Sequence, residues 1–213
     1  ITITFTPDSA LFYSDTLFLI NNDPDESIKK VVLTGAGTGP VVHPTVNNLD
    51  FNTVFYSSDS TINLLIQNRG NELLTIDSVK VTGFNRSAYN LNNIPTSIPP
   101  GNGSELAVIF APDSILSSAD TLLIFSNDAL RPVRKIDLNG AGMGAVITIT
   151  EDSLINFGYS LLESSGQKVL HIQNSGNYPL TIENVEILAD TLGFAIEYRP
   201  ETIQAAEEDS IIL

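Results

Sequence analysis

Ile66-Gln-Asn-Arg-Gly-Asn-Glu-Leu-Leu-Thr-Ile76 returns as Ile172-Gln-Asn-Ser-Gly-Asn-Tyr-Pro-Leu-Thr-Ile182, 106 positions later. The stretch reads as the end of one strand, a tight turn and the start of the next, and its return shows that a whole unit has been copied. A second set of matches lies 105 positions apart: Phe5-Thr-Pro-Asp-Ser9 with Phe110-Ala-Pro-Asp-Ser114, Asp15-Thr-Leu17 with Asp120-Thr-Leu122, and Asn22-Asp23 with Asn127-Asp128. Gly35-Ala-Gly-Thr-Gly39 recurs at the same offset as Gly140-Ala-Gly-Met-Gly144. Self-similarity on this scale decides architecture before any single residue does. The alignment predicts three domains or parts of domains: residues 1–39 as the C-terminal part of a first repeat, 40–144 as one complete repeat, and 145–213 as the N-terminal part of a third. A unit of about 105 residues can bury its own core. The two partial units are expected to expose apolar strand faces and unpaired edges, which invite pairing. The chain is therefore expected either to associate head to tail or to fray at both ends.

Within the middle unit, Thr61-Ile-Asn-Leu-Leu-Ile66, Leu74-Thr-Ile-Asp-Ser-Val-Lys-Val81, Leu106-Ala-Val-Ile-Phe110, Thr121-Leu-Leu-Ile-Phe125 and Val133-Arg-Lys-Ile-Asp-Leu138 are short, β-branched and mostly alternating. Those are strand signals. Asn68-Arg-Gly70, Pro95, Pro99-Pro-Gly-Asn-Gly103, Ser126-Asn-Asp128 and Gly140-Ala-Gly142 supply turn chemistry between or after them. With a first strand around Leu49-Asp-Phe51 and a short one at Tyr89-Asn-Leu91, the unit has about seven strands, the count of an immunoglobulin-like sandwich. No stretch has a capped helical period. The fold class expected is all-β, tandem immunoglobulin-like β-sandwiches. The chain contains no Cys and no Trp, so the core must rest on Phe51, Leu64, Ile66, Ile76, Val79, Tyr89, Val108, Phe110, Leu122, Ile124 and Leu138.

Ten Lys and Arg against twenty-five Asp and Glu leave a formal charge of −15. Such a surface repels phosphate backbones and anionic membranes, which argues against nucleic acid as a partner. Without cysteine there is no disulfide, thiolate nucleophile or thiolate metal site. No run approaches the length of a membrane-spanning helix, so no membrane insertion is expected in this segment, and no leader peptide opens it.

The order Leu49 and Phe51; Ile66, Asn68, Gly70, Asn71, Leu74 and Ile76; Ile98 to Gly101; Phe110 and Pro112; Leu122, Ile124 and Ser126 to Asp128; Leu138, Gly140 and Gly142 resembles a known family. It is similar to the abnormal-spindle and hydin (ASH) type of immunoglobulin-like domain, especially the tandem form of bacterial "choice-of-anchor D" surface proteins. The resemblance runs the length of the chain. It departs at Ala205-Ala-Glu-Glu208, where Pro-Pro-Gly-Asn is the pattern. It implies non-catalytic modules, related to the major sperm protein fold, used in secreted or surface-anchored bacterial chains and at eukaryotic cilia and centrosomes.

Several residue groups invite a chemical reading, and each has a plainer one. Asn68-Arg-Gly-Asn71 and Asn174-Ser-Gly-Asn177 can present a ligand, or can be tight turns whose Asn and Gly accept positive φ. Gly35 to Gly39 and Gly140 to Gly144 look like phosphate-cradling loops but lack the following helix and Lys such loops use, so they read as a last strand entering a junction. Asn22-Asp-Pro-Asp-Glu26 has hard oxygen ligands suited to calcium near Asp23 and Asp25; its counterpart Asn127-Asp-Ala-Leu-Arg131 loses two acids, which favours a turn with Pro24 fixing φ. His43, before Pro44, and His171, aligned with Leu65, occupy non-equivalent places and form neither triad nor metal cluster. Asn85-Arg-Ser87 and Asn102-Gly-Ser104 fit the glycosylation sequon. Phe55 and Tyr56 form a small aromatic cluster.

No catalytic, cofactor-binding or metal residue is assigned, and no enzyme is expected. The function expected is a structural or adhesive repeat, a spacer or stalk of a secreted or surface-anchored bacterial protein, outside the cell or on its surface. Its expected partners are neighbouring repeats and a further protein or glycan. The alternatives are a glycan- or protein-binding accessory module of a larger chain and an intracellular scaffold of the ciliary kind.

Overall fold

The computed structural model describes residues 1–150, 154–188 and 193–213. By its internal contacts the chain divides into two compact units. One comprises Ile1–Phe51, Ser60–Phe110 and Ser118–Gly140; the other comprises Asn52–Asp59, Ala111–Ser117 and Ala141–Leu213.

The first described strands are β1 (Phe12–Ile20) and β2 (Ile28–Ala36), an antiparallel hairpin in unbroken register from Phe12↔Ala36 to Ile20↔Ile28. They form a two-stranded sheet of their own. Phe12, Phe18, Ile20 and Val32 are exposed on it.

The middle stretch then supplies β3 (Val42–Pro44), β4 (Asn48–Phe55), β5 (Ser60–Asn68), β6 (Leu74–Thr82), β7 (Tyr89–Asn92), β8 (Ser97–Ile98), β9 (Gly103–Phe110), β10 (Ser117–Ser126) and β11 (Val133–Met143). They form one sheet in the order β4-β11-β10-β6-β8 and another in the order β3-β5-β9-β7. The fold is an all-β sandwich of immunoglobulin-like architecture, as the sequence predicts. It has nine strands here rather than about seven, because β3 and β8 are three- and two-residue pairings too short to leave a periodic signature. A single 3-10 turn at Arg86–Ala88 is the helical element among the described residues.

Period-2 alternation places the core. In β10, Ser118, Asp120, Leu122, Ile124 and Ser126 are all buried, every second residue; in β5, Leu64, Ile66 and Asn68 are. Ile136 and Leu138 of β11 and Leu106, Val108 and Phe110 of β9 complete the facing layers. Each such fully buried aliphatic contributes about 1.5–3 kcal/mol. The rings of Phe51, Tyr89 and Phe110 meet at centroid separations of 5.0–5.9 Å. Of the core positions expected from sequence, Val79 is only half-buried. It lies near the end of β6, where the burial pattern fades.

Inside this core the Tyr89 hydroxyl lies 3.1 Å from Ser118 Oγ, which donates to Asp120 Oδ2 at 2.6 Å, while Asp120 Oδ1 accepts the Asn85 amide at 3.1 Å. Burial pushes the phenol above its ordinary pKa of 10.0, the Ser118 hydrogen bond opposes that and the Asp120 charge adds to it. The folded state therefore holds its proton where the unfolded chain releases one. The stability this gives is complete below the unfolded phenol pKa and is lost as pH rises through the folded one. Urea midpoints measured at about pH 8 and about pH 11 should fall further for the wild type than for Tyr89→Phe. Equal falls would show that this phenol is not the group responsible.

The last strands are β12 (Ile147–Ile149), β13 (Val169–Asn174), β14 (Leu180–Thr181), β15 (Thr202–Ile203) and β16 (Glu208–Ile212). They repeat registers of the middle stretch. Val42↔Asn68 has its counterpart in Ile147↔Asn174, Leu74↔Ile98 in Leu180↔Ile203, and Ile66↔Ser104 in Ile172↔Asp209. Ile172, Ile203 and Ile211 form a small core there, with Leu170, Leu180, Val185, Ile196 and Leu213 packed on it.

Candidate functional site

The residue pattern that repeats most closely in sequence also repeats bond for bond in space. Asn68 closes β5 with its side chain buried. Its Oδ1 accepts the N–H groups of Val41 (3.2 Å) and Gly70 (2.9 Å), and its Nδ2 donates to the carbonyls of Glu72 (2.7 Å) and Ile98 (2.9 Å). Asn174 closes β13 the same way: Val146 at 3.2 Å and Gly176 at 3.0 Å donate to it, and it donates to Tyr178 at 2.8 Å and Ile203 at 3.1 Å.

Three residues on, the second asparagine grips the incoming peptide. Asn71 Oδ1 accepts from Gly39 N–H (2.9 Å), its Nδ2 donates to the Gly37 carbonyl (3.0 Å), and its backbone N–H donates to the Gly39 carbonyl (3.1 Å). Asn177 makes the matching bonds to Gly144 N–H (2.8 Å), the Gly142 carbonyl (2.8 Å) and the Gly144 carbonyl (3.0 Å), and Nδ2 also reaches the Ile115 carbonyl at 3.2 Å. Each Gly-x-Gly peptide is thus held by both the oxygen and the nitrogen of a carboxamide, which supplies acceptor and donor together.

Positive φ is not why these residues are Asn and Gly, which corrects the turn reading. None of Asn68, Gly70, Asn71, Asn174, Gly176 or Asn177 is among the described residues with positive φ. The asparagines are caps, and the glycines are thin. A Cβ on Gly70 would lie 2.2 Å from the Gly39 carbonyl oxygen, and one on Gly176 would lie 2.4 Å from that of Gly144.

The Gly-x-Gly pairs work by close approach too. A Cβ on Gly35 or Gly140 would sit 2.7 Å from the ring of Phe5 or Phe110, and one on Gly37 or Gly142 would sit 1.9 or 1.7 Å from the carbonyl oxygen of Ser9 or Ser114. Gly140 and Gly142 are not a turn, contrary to one sequence expectation. They lie inside β11, which runs on to Met143. His43, expected in the junction, belongs to β3 and pairs with Gln67.

Asp128, like Asp120, is a buried carboxylate that composition alone would not single out. Its Oδ2 accepts Val42 N–H at 3.0 Å, and its Oδ1 accepts Leu130 and Arg131 N–H at 3.0 and 3.1 Å. Its sequence counterpart Asp23 accepts Asp25 N–H at 3.0 Å, and Glu26 pairs with Lys29 at 2.8 Å. In the loop considered for calcium, the Asp23 carboxylate thus caps its own turn, and no group of three His, Asp or Glu that could hold a metal occurs among the described residues. The recurrence of Asn-Asp at both places was the signal for the cap.

The remaining candidates stay apart. Burial, then the positive charges of Arg69, Arg134 and Arg131, holds the His43 imidazole below its ordinary pKa. His171 Nδ1 lies 3.6 Å from the Glu208 carboxylate on the neighbouring strand. Phe55 meets Tyr178 edge to face at 4.9 Å, so half of the Phe55–Tyr56 cluster is engaged with the turn that Asn174 caps. Asn85 precedes the 3-10 turn, and the backbone carbonyl of Asn102 accepts the Asn68 amide. No helix is long and apolar enough to cross a membrane among the described residues.

No family model matches the chain, and no curated protein matches it. Among solved structures, a Porphyromonas gingivalis W83 protein of unknown function is similar at 19% identity over 64% of this chain and 68% of that one, with a TM-score of 0.44. The ASH/PapD-like domain 7 of human CEP192 is similar at 16% identity over 49% of this chain and 87% of that one (TM-score 0.39). The E. coli chaperone DraB is similar at 10% identity over 82% and 86% (TM-score 0.36). The sandwich rests on the strand order and registers of this chain itself.

Proposed function

We propose that the chain is part of a tandem array of immunoglobulin-like β-sandwiches, with repeats at 1–39, 40–144 and 145–213, that serves as a non-catalytic spacer or stalk of a secreted or surface-anchored bacterial protein. The observation that carries this is the recurring grip of Asn71 on Gly37 and Gly39 and of Asn177 on Gly142 and Gly144. A joint built twice from the same side chains serves to hold neighbouring units, and a clamped peptide restricts motion more than a Gly/Ser linker does. The acidic surface keeps such an array soluble.

Removing the grip tests the mechanical part. Each asparagine contributes a few partly exposed hydrogen bonds at about 0.5–1.5 kcal/mol apiece, so Asn71→Ala with Asn177→Ala should open the junctions about tenfold more often. Limited proteolysis should then cut within 37–41 and 142–146 correspondingly faster, while the midpoint of the main unfolding transition moves little. Unchanged cleavage would remove the clamp from the argument. Protease shaving of intact source cells, with mass spectrometry of the released peptides, tests the location. Release from unbroken cells supports the surface stalk, and recovery only after lysis moves the reading to an intracellular scaffold.

A further inference from the structure

Acids outnumber bases by twenty-five to ten in this chain, yet three of its ten Lys and Arg gather at one place in the middle sandwich. Strand pairing and turn bonds bring them there. His43 of β3 pairs with Gln67 of β5, and two residues past Gln67 the Arg69 amide donates to the Val41 carbonyl at 2.9 Å. Alternation puts His43, Gln67 and Arg69 on one outward face, because Val42, Pro44, Ile66 and Asn68 are the buried neighbours. The β10–β11 turn is tied to the same spot: Asp128 accepts Val42 N–H at 3.0 Å through one oxygen and Arg131 N–H at 3.1 Å through the other. Arg134 of β11 reaches Asn47 Oδ1, between β3 and β4, at 3.5 Å. After burial, the charges that hold the His43 imidazole down are those of Arg69, Arg134 and Arg131, in that order.

Neutral amides, not carboxylates, take the hydrogen bonds that these side chains donate. Arg69 Nε and Nη2 lie 3.2 and 3.1 Å from Gln67 Oε1, and Arg134 Nη2 goes to Asn47. Arg134 Nε is buried and has no hydrogen-bond partner among the described residues, so part of a charged donor set goes unanswered. The acids of the surrounding elements are placed otherwise. Asp128 is turned inward onto amides, and Glu105 sits opposite Leu65, one strand beyond β5 from β3. Asp137, with Lys135, projects from the face of β11 opposite to Arg134, and Asp50 from the face of β4 opposite to Leu49 and Phe51. Glu72, three residues past Arg69, is exposed.

We propose that Arg69, Arg131 and Arg134, together with His43, form a binding site for an oxyanion of the phosphate or carboxylate type. Guanidinium groups present planar forks that match the oxygens of such a ligand two at a time. All four residues belong to one compact unit, and they come from three separate stretches of chain, so the site exists only in the folded sandwich. The inference does not rest on the stalk reading.

The acidic surface elsewhere repels an anion at long range, but at 0.1 M salt that repulsion is screened beyond about 10 Å. What remains is the local field of the arginines. An anion among them favours the charged imidazole, so binding raises the pKa of His43. By reciprocity, protonated His43 binds the anion more tightly, and affinity rises as pH falls through the His43 titration.

The test is an NMR pH titration of the two histidines of the 213-residue chain in sodium chloride, sodium sulfate and sodium formate at equal ionic strength. Sulfate and formate stay ionised through the histidine range. His171, beside Glu208, is the internal reference. The His43 midpoint should rise by about one unit in sulfate, formate or both, which corresponds to anion binding about tenfold tighter below that midpoint than above it. His171 should not follow. Arg69 and Arg131 are exposed, so Arg69→Gln with Arg131→Gln should keep the fold. In that double variant the His43 midpoint should already be higher in chloride, because two positive charges are gone, and should no longer move with either anion. A rise in sulfate alone assigns a tetrahedral anion such as phosphate, whereas a rise in formate, alone or with sulfate, admits the carboxylate of an acidic side chain. No rise beyond that in chloride, an equal rise at His171, or an undiminished rise in the double variant would each overturn the site.

Discussion

Asn68→Ala should destabilise the middle sandwich by about 3–5 kcal/mol, because four hydrogen bonds of a buried side chain disappear and their backbone partners are left without replacement. The groups affected are the Val41 and Gly70 amides and the Glu72 and Ile98 carbonyls. Asn68→Asp separates the two halves of the cap. The carboxylate keeps the acceptor for Val41 and Gly70 but sets a second oxygen against two carbonyls, so it should be no more stable than the alanine variant. Urea unfolding followed by far-UV circular dichroism measures both. A loss below about 1 kcal/mol for Asn68→Ala would mean that water restores these bonds and the cap is incidental.

Phe110→Ala should cost about 3–5 kcal/mol, since the ring is fully buried among Phe51, Tyr89 and the β11 backbone. The more telling variant is Gly140→Ala. Its methyl group would meet the Phe110 ring at 2.7 Å, so alone it should destabilise by overpacking, by about 1–3 kcal/mol. In the Phe110→Ala background the obstruction is gone. There Gly140→Ala should be neutral or stabilising, because it fills part of the cavity and restricts the unfolded chain. A double-mutant cycle with no coupling would show that the strand shifts to absorb the methyl group, and the ring-on-glycine contact would lose its place in the account of the Gly-x-Gly pattern.

The fold was legible from sequence where burial follows a period. Leu64 and Ile66, or Leu122 and Ile124, alternate cleanly with exposed or half-buried neighbours, and a period of two admits one reading. β3 and β8 were not legible, because a strand of three or two residues contains no period to read. The junction was visible as a motif but not as a mechanism. Asn-x-Gly-Asn looks the same whether its residues are chosen for positive φ, for a carboxamide that caps distant backbone, or for the absence of a Cβ. Only the neighbours of Gly70, which lie 30 residues back in the chain at Gly39 to Val41, separate those causes. Asp128 and Asp120 were obscured by abundance. Among twenty-five acids, two that turn inward to cap amides look like the rest until their partners at Val42 and Asn85 are known.

On the proposed repeat boundaries the clamp divides its components: Gly37 and Gly39, or Gly142 and Gly144, fall at the end of one repeat, and the gripping Asn71 or Asn177 falls in the next. If the chain is an array, recombination between matched positions of two copies would regenerate a working joint whichever units it brought together. Copy number could then change through gene-level slippage, with no new interface to evolve and no side chain to adjust.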